Sequence, residues 1–348
     1  MIRLADILKK YRQGSRRPDA SDAGADAKGK LPRLDDTFSV SSAMNKEIDA
    51  TLALKATQMY QEALARSREL YRPQRDESLD CFAGISAAVT KIIEALSDGN
   101  AELLRRALAD YESPEDYLSG HAVNVCIMAL GLGIGLKFPQ QRLLDLGVAA
   151  FVHDIGQIEM LALINKKGIL TKKEFAAVKE HPARGTSLLG RISTQFSRAV
   201  LEVVQQEHER IDGSGYPLGL KEMTVSENAQ LVGLVDVYEA MIHERPYRSK
   251  YTSLETVKTI LNSKATFAPQ LVKMLIERIG IFPLGVMVRL NTNEVGMVVK
   301  DNIKLPLRPV VNILFDAGGQ QLEIPKPIDL AQNTMLFIKE CVDCVKKI

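Results

Sequence analysis

The sequence predicts a mainly α-helical protein with a helical bundle as its core, an N-terminal helical region and a small C-terminal β-rich appendage. Apolar residues recur at helical spacing from about residue 43, helix-start signals follow one another through the centre, and short β-rich runs appear after Pro283. The predicted units are an N-terminal helix with a flexible linker, a helical region, the bundle and the appendage. Their predicted bounds are residues 1–42, 43–112, 113–282 and 283–348.

Residues 1–42 indicate a short amphipathic helix and then a polar linker rich in Gly, Ala, Asp, Lys and Arg, a composition that favours disorder. The pattern of residues 43–112 fits two roles equally. In the first, the region is a regulatory unit or a dimerisation unit, which would make the protein a homodimer. In the second, it is an N-terminal helical cap on the core. The sequence shows no signature of a receiver domain or a haem-binding domain, so it does not indicate which signal regulates the protein.

Helix-start signals mark the central bundle, which opens at residues 113–116. There serine caps the helix, proline takes the first turn and two acids face the positive end of the helix dipole. Thr171 with Glu174, and Thr252 with Glu255, have the spacing of capping boxes. Helices are also predicted at residues 196–206 and 231–241, and the apolar run at residues 125–136 predicts a buried helix.

The C-terminal appendage shows three β-rich runs, at residues 286–290, 295–299 and 310–315, separated by Asn, Gly, Pro and Lys clusters. A final helix is expected at residues 335–345. Cys341 and Cys344 form a CxxC there, but no second pair completes a zinc site, so chance placement on the terminal helix is the better interpretation. The appendage carries no catalytic constellation.

Composition excludes several classes of protein. Apolar residues make up 46% of the 348 residues, and 45 basic against 43 acidic side chains leave a net charge of +2, which implies no nucleic-acid polymer as partner. The N-terminus lacks the apolar segment of a secretory signal, and the longest uncharged apolar run is too short for a membrane span. Four scattered cysteines do not form a disulfide framework. We therefore expect a cytoplasmic protein without a membrane span.

The histidines are few, and all of them lie in the central stretch, where adjacent acids accompany several of them. Neutral imidazole suits iron, zinc or copper, and carboxylates neutralise and bridge cations, so the centre of the chain is where a metal site is expected. The five histidines are His121, His153, His181, His208 and His243.

Each candidate ligand also has a purely structural interpretation. His121 could be a satisfied core histidine, Asp154 a helix-surface acid, and Asp236 a partner for Arg245. However, these polar residues lie on or beside apolar segments, and burying them without partners would cost several kcal/mol each. One shared metal centre would satisfy them all, and the ordered set is more specific than any single member.

The ordered motifs resemble those of a bacterial HD-GYP domain, a branch of the HD phosphohydrolase superfamily that degrades cyclic di-GMP. The resemblance covers residues 113–280, about half the chain. It rests on HDIG at residues 153–156, HP at 181–182, HERIDGSGYPLGL at 208–220, DVYEA at 236–240 and RPYR at 245–248.

The resemblance implies an all-α fold around a centre of two or three ions, usually iron or manganese. Paired cations can lower the pKa of a bound water and stabilise developing charge on phosphate oxygens, so that cyclic di-GMP would open to linear pGpG and further hydrolysis would give GMP. Asp154, the natural bridging carboxylate, and His153 are the expected catalytic residues. The expected ligands are His121, His153, Asp154, His181, Glu207, His208 and Asp236.

The resemblance also implies substrate contacts. Arg245 and Arg248 match basic positions near the substrate phosphates and are candidate phosphate clamps, since an Arg fork suits phosphate oxygens. Gln157 stands where a phosphate-facing residue is expected. Tyr216, in the signature glycine loop, fits equally a structural turn and a surface that packs on substrate or on a partner.

Four positions depart from the family pattern. Gln157 replaces the usual Lys, Glu207 replaces the first of two adjacent histidines, and Tyr117 replaces the glutamate of members with three metals, so two divalent ions are expected. Glu239 replaces the usual Asp but keeps the carboxylate, a change expected to be nearly neutral.

Two main hypotheses follow, and we favour the first because Gln157 can still donate a hydrogen bond and Glu207 can still bind a metal. In the first, the protein is a metal-dependent cyclic di-GMP phosphodiesterase. In the second, it is a degenerate relative that binds cyclic di-GMP or a partner such as a diguanylate cyclase without turnover. A third, a different nucleotide or phosphoester as substrate, is disfavoured by the GYP and RPYR strings.

Overall fold

The computed structural model describes residues 35–72, 81–111, 117–166, 168–244, 249–263, 265–302 and 304–342, with side chains from residue 51 onwards. Among these residues, the helices lie between residues 35 and 279 and the β-strands between residues 287 and 341, as the sequence predicts. The predicted N-terminal amphipathic helix, residues 13–34 of the linker and the helix start at residues 113–116 lie outside the described residues.

The α-helices are numbered along the described chain, and two short 3₁₀ helices, Ile155–Met160 and Glu222–Thr224, interrupt the series. The α-helices are α1 Asp35–Leu70, α2 Phe82–Ser97, α3 Ala101–Ala107, α4 Tyr117–Gly135, α5 Gln140–Val152, α6 Leu161–Ile164, α7 Lys172–Val178, α8 His181–Ile192, α9 Arg198–Gln206, α10 Glu227–Ile242, α11 Ser253–Asn262 and α12 Pro269–Ile279.

Helix α4 is the centre of the bundle. Every residue from Leu118 to Gly133 is buried, because α1, α2, α3, α5, α10 and α12 all pack against it. This confirms the buried helix predicted at residues 125–136. Helix α4 and the segment Gln140–Ile164 are long and apolar enough to cross a membrane, but 89% and 67% of their apolar windows are buried inside the protein, so they are weak evidence for a span.

Local sequence signals fix several helix starts. At α7 the Thr171 hydroxyl accepts a hydrogen bond from the Glu174 amide at 3.3 Å, and the Glu174 carboxylate accepts one from the Thr171 amide at 2.7 Å. Thr252 and Glu255 form the same reciprocal pair at the start of α11. Both predicted capping boxes are therefore confirmed, and α9 and α10 confirm the helices predicted at residues 196–206 and 231–241.

A five-stranded antiparallel sheet with the order β4-β3-β2-β1-β5 follows the bundle. The three β-rich runs of the sequence form its central strands, and alternate residues such as Val288, Val298 and Val311 are buried in the core. The strands are β1 Met287–Leu290, β2 Val295–Lys300, β3 Val310–Phe315, β4 Gln321–Asp329 and β5 Ile338–Cys341.

The predicted terminal helix at residues 335–345 is wrong. Residues 338–341 form strand β5, in which Cys341 is paired with Val288 of β1. The free edge of β1 offers backbone donors and acceptors that an extended chain can satisfy, and the Val342 amide donates to the Met287 carbonyl at 2.8 Å. Cys341 therefore lies on a strand, whereas Cys344 lies outside the described residues.

Candidate metal centre

Five places in the bundle supply the expected metal ligands. His121 lies in the first turns of α4, His153 and Asp154 directly follow α5, and His181 begins α8. The remaining ligands come from the turn after α9 and from the middle of α10. The seven expected ligands form two sets in which the ligand atoms lie within 4.8 Å of one another: Asp154, His181, Glu207 and His208, and His121, His153 and Asp236.

Asp154 joins the two sets. Its Oδ2 lies 3.5 Å from Nε2 of His121 and 3.4 Å from Nε2 of His153. Its Oδ1 lies 3.3 Å from Nε2 of His181, in the other set. One carboxylate oxygen therefore faces each set, which is the arrangement that a carboxylate bridging two cations requires.

Glu207 points into the centre like a ligand. Its side chain is fully buried, with one oxygen 3.6 Å from Nε2 of His153 and the other 3.5 Å from Nε2 of His181. His208, the next residue, directs Nε2 to within 3.0 Å of Nε2 of His181. The carboxylate thus occupies a position where a hard divalent ion would find an oxygen ligand.

The histidines are oriented by hydrogen bonds on their outer nitrogens. Nδ1 of His153 donates to the Ala150 carbonyl at 2.8 Å, and Nδ1 of His181 donates to the Val178 carbonyl at 2.7 Å. These bonds leave Nε2 of each ring as the acceptor that faces the centre, as in metal-binding histidines.

The donor set fits divalent cations. Nε2 of His121, Nε2 of His153 and both oxygens of Glu207 are buried and have no hydrogen-bond partner among the described residues. Buried polar atoms without partners are costly, and shared cations would satisfy all four. Mixed imidazole and carboxylate donors suit iron, manganese or zinc.

The charges of the cluster shift its pKa values in opposite directions. Burial opposes the charged form of Asp154, but the imidazoles of His153, His181 and His121 outweigh it and lower the pKa of this carboxyl group. Burial likewise opposes charged His153, but the carboxylates of Glu207 and Asp154 raise the pKa of this imidazole to about 9. The carboxylates thus create a field that favours positive charge at the centre.

Glu239 binds His121 on the side of the ring that faces away from the centre, a role that the sequence did not reveal. Its Oε2 accepts from Nδ1 of His121 at 2.5 Å, and its Oε1 accepts from the Asn124 amide at 2.9 Å and the Tyr111 hydroxyl at 2.5 Å. His243 lies behind it, with both ring nitrogens 3.0 Å from backbone carbonyl oxygens. The available signal was its spacing of three residues from Asp236, which places both carboxylates on one face of α10.

Two glycines allow backbone segments to approach closely enough to form the centre. A Cβ atom at Gly156 would lie 2.1 Å from the His181 carbonyl oxygen, and one at Gly233 would lie 2.0 Å from the Glu207 carbonyl oxygen. Any side chain at these positions would separate the HD turn from α8, or α10 from the turn after α9.

The signature loop is anchored by Glu209, which the sequence did not single out. Its buried carboxylate accepts hydrogen bonds from the amides of Leu218, Gly219 and Leu220 at 2.6, 3.1 and 2.9 Å. The anchored loop places the Tyr216 ring on His208, with centroids 4.6 Å apart and the planes 25° from parallel. Burial raises the pKa of the Tyr216 hydroxyl, so it stays protonated.

The structure also locates the positions that depart from the family pattern. The Gln157 amide donates to Oδ1 of Asp154, so it braces the bridging carboxylate. Tyr117 stacks on His121, with centroids 5.8 Å apart. Arg245 and Arg248 lie outside the described residues, and their expected phosphate contacts remain predictions.

A cavity of about 610 Å³ opens onto the centre. Its polar end includes His121, Asp154, His181, His208 and Asp236, together with Gln157 and Tyr216. The opposite wall is largely apolar and is formed by α6, α7 and the segment between them. Its apolar residues are Leu163, Ile164, Ile169, Leu170, Phe175 and Val178.

Comparison with known proteins agrees with this description. Residues 102–271 match the family model of an HD domain, and residues 287–346 match that of a KOW domain associated with an HD domain. A solved HDG"Y"P protein from Bdellovibrio bacteriovorus is 20% identical and aligns with a TM-score of 0.55 over 70% of this chain and 80% of that one, which shows a shared fold.

Curated relatives also match this chain. A cyclic di-GMP phosphodiesterase of Pseudomonas aeruginosa is 32% identical over 223 residues, which cover 64% of this chain and 53% of the relative. A 3'3'-cGAMP-specific phosphodiesterase of Vibrio cholerae is 28% identical over 198 residues, which cover 56% of this chain and 38% of the relative. The chain spans about half the length, or less, of these relatives. The comparisons therefore support an HD domain of the HD-GYP type at residues 102–271.

Proposed function

We propose that the protein is a metal-dependent phosphodiesterase that hydrolyses cyclic di-GMP to linear pGpG. The observation that carries this proposal is the convergence of seven donors into two sets joined by Asp154, at the end of a cavity of about 610 Å³. A cavity of this size lies in the range of small-ligand sites.

The chain's own residues would divide the work between binding and orientation. Two divalent ions, iron or manganese, would supply Lewis acidity and an activated water when bound. Asp154 would help to hold both ions, and the hydrogen bonds of His153 and His181 to backbone carbonyls would keep their Nε2 atoms facing the centre. Gln157 and Tyr216, which line the cavity, would contact the substrate.

The names of the relatives support this substrate class. A protein named as a cyclic di-GMP phosphodiesterase and one named as a 3'3'-cGAMP-specific phosphodiesterase both match this chain. Since the two differ in a nucleobase, both should be offered to the purified protein. Preference for cyclic di-GMP is the expected result, with GMP accumulating only where pGpG is hydrolysed further.

The test combines metal content with product analysis. Purified protein should hold about two equivalents of iron or manganese and release pGpG. Asp154→Asn keeps the side-chain volume but removes the bridging charge, so it should lose metal and turnover together. Asp98→Asn, at an exposed residue after α2, is the matched control and should retain both. Hydrolysis that survives in Asp154→Asn would rule out the assigned centre.

A second candidate function is a cyclic di-GMP receptor, or an interaction module for a partner such as a diguanylate cyclase. The observation that favours it is Gln157, whose neutral amide bonds Asp154 where the family places a lysine. Metal-free protein that binds cyclic di-GMP without releasing product would support the receptor. Product release that depends on added manganese or iron would exclude it.

A further inference from the structure

Lys179 directly follows Val178, which lines the cavity, on a turn that is hydrogen-bonded to a predicted metal ligand. The Lys179 amide donates to the Phe175 carbonyl at 3.1 Å, which closes the last turn of α7. The preceding carbonyl, that of Val178, accepts the Nδ1 hydrogen bond of His181 at 2.7 Å. The position of the Lys179 backbone is therefore fixed relative to a predicted metal ligand.

The ammonium group of Lys179 lies over two aromatic rings that line the cavity. Nζ is 5.0 Å from the ring centroid of Phe175 and 5.0 Å from that of Tyr216. Tyr216 in turn stacks on His208, so a single aromatic ring separates the ammonium from a member of the metal cluster. Cation–π contacts of this kind hold a charge in place without neutralising it.

Other cations that the structure describes around the site are already engaged. The Lys166 ammonium binds both carboxylate oxygens of Glu174, at 2.7 and 2.8 Å. The Arg210 guanidinium donates to the carbonyls of Glu207 and Glu209, at 2.8 Å each. Among the described residues, Lys179 forms no ion pair with a carboxylate, so its charge is available to an anionic ligand.

We propose that Lys179 binds the phosphodiester of a cyclic dinucleotide that is not being cleaved. This inference rests on the proposed function, since such a substrate carries two phosphodiesters with one negative charge each. Cations held by the candidate ligands would bind one of these phosphodiesters. Lys179, beyond the Tyr216 ring, offers a point charge on a flexible stem to the other, and replaces the cation that Gln157 does not supply.

The test compares two substrates with different numbers of phosphodiesters. Lys179→Met keeps the length of the side chain and removes its charge. The ratio of kcat/KM for cyclic di-GMP to kcat/KM for bis(p-nitrophenyl) phosphate should fall about tenfold, because one charge-assisted contact with the cyclic dinucleotide is lost. The loss should appear as a higher KM for cyclic di-GMP. Lys179→Arg should retain most of the ratio. Lys173→Met, at an exposed lysine of α7, is the control and should leave the ratio unchanged.

Two outcomes would overturn the proposal: an unchanged ratio in Lys179→Met, which includes an equal loss on both substrates, or no rescue by arginine. If the wild-type protein binds cyclic di-GMP without hydrolysing it, the proposed function is overturned but the inference about Lys179 is not. Equilibrium titration with cyclic di-GMP then decides, because Lys179→Met should still weaken binding about tenfold, and equal affinity overturns the inference. Wild-type protein that neither hydrolyses nor binds cyclic di-GMP contradicts both proposals.

Discussion

Glu239 shows how a single residue outside the cavity can govern the metal centre. It is fully buried, and its carboxylate oxygens accept hydrogen bonds from His121, Asn124 and Tyr111. Burial opposes its charge, but His243 and His121 outweigh that effect and lower the pKa of its carboxyl group. The carboxylate therefore fixes the ring of His121 so that Nε2 faces Asp236, 3.1 Å away.

Glu239→Gln should weaken metal binding about 10–100-fold, the usual effect of losing a carboxylate behind a ligating histidine. The amide keeps the volume and one acceptor oxygen but cannot hold His121 by charge. Titration of chelator-treated protein with Mn²⁺ measures the change. Glu202→Gln, at an exposed residue of α9, is the control and should leave affinity unchanged. Equal Mn²⁺ affinity in Glu239→Gln would show that His121 needs no such support.

At this scale the sequence indicated candidate ligands but not the residues that support them. Most candidates could be named because HDIG, HP, HER and DVYEA are contiguous strings that carry the resemblance to HD-GYP domains. Glutamate at position 239 was expected to be a nearly neutral change because it keeps the carboxylate. Its role behind His121 was not visible because its partners, His121 and Asn124, lie more than a hundred residues earlier. Only the packing of α10 against α4 brings those side chains together.

Among the elements, helix α10 depends on a glycine that ordinary helix propensity disfavours. Glycine in a helix interior costs about 1 kcal/mol relative to alanine, so Gly→Ala substitutions usually stabilise helices. Gly233, however, faces the Glu207 carbonyl oxygen, which would lie 2.0 Å from an added Cβ. The steric conflict involves backbone and cannot be relieved by turning a side chain.

Gly233→Ala should therefore lower the free energy of unfolding by about 1–3 kcal/mol, as overpacking does, despite the better propensity of alanine. Gly190→Ala provides the matched comparison, because Gly190 lies inside α8 and an added Cβ would meet nothing within 4 Å. That substitution should raise stability by up to about 1 kcal/mol. Urea denaturation of both variants measures the contrast, and two changes of the same sign would contradict it.

Elements defined by local signals were predictable, and elements defined by distant partners were not. Capping boxes at Thr171 and Thr252 fixed the starts of two helices. Strand β5 was predicted as a helix because its strand conformation is set by the edge of β1, about fifty residues earlier. Strand β4 was not predicted because Pro325 and Pro327 weaken the strand pattern, although prolines are tolerated on an edge strand.

In the whole molecule, the metal centre is where distant segments meet. Its candidate ligands come from α4, the ends of α5 and α9, the start of α8, and α10, and both carboxylate oxygens of Asp154 face them. Hydrophobic periodicity predicted a helical bundle but not this convergence, which followed from the resemblance to HD-GYP domains. The buried carboxylates and imidazoles do not satisfy all of one another's hydrogen-bonding atoms, since four of these atoms have no hydrogen-bond partner among the described residues.

Metal binding should therefore stabilise the entire fold. A ligand present at about 1,000 times its Kd stabilises the native state by about 4 kcal/mol, and in a protein of this size each kcal/mol shifts Tm by about 2–4 °C. Removing metal with a chelator should lower Tm by roughly 10 °C, and adding back Mn²⁺ should restore it. In Asp154→Asn the Mn²⁺-dependent shift should largely disappear, because the residue joining the two sets is neutral. Calorimetric scans that give one Tm with and without Mn²⁺ for the wild-type protein would mean that these donors hold no stabilising ion.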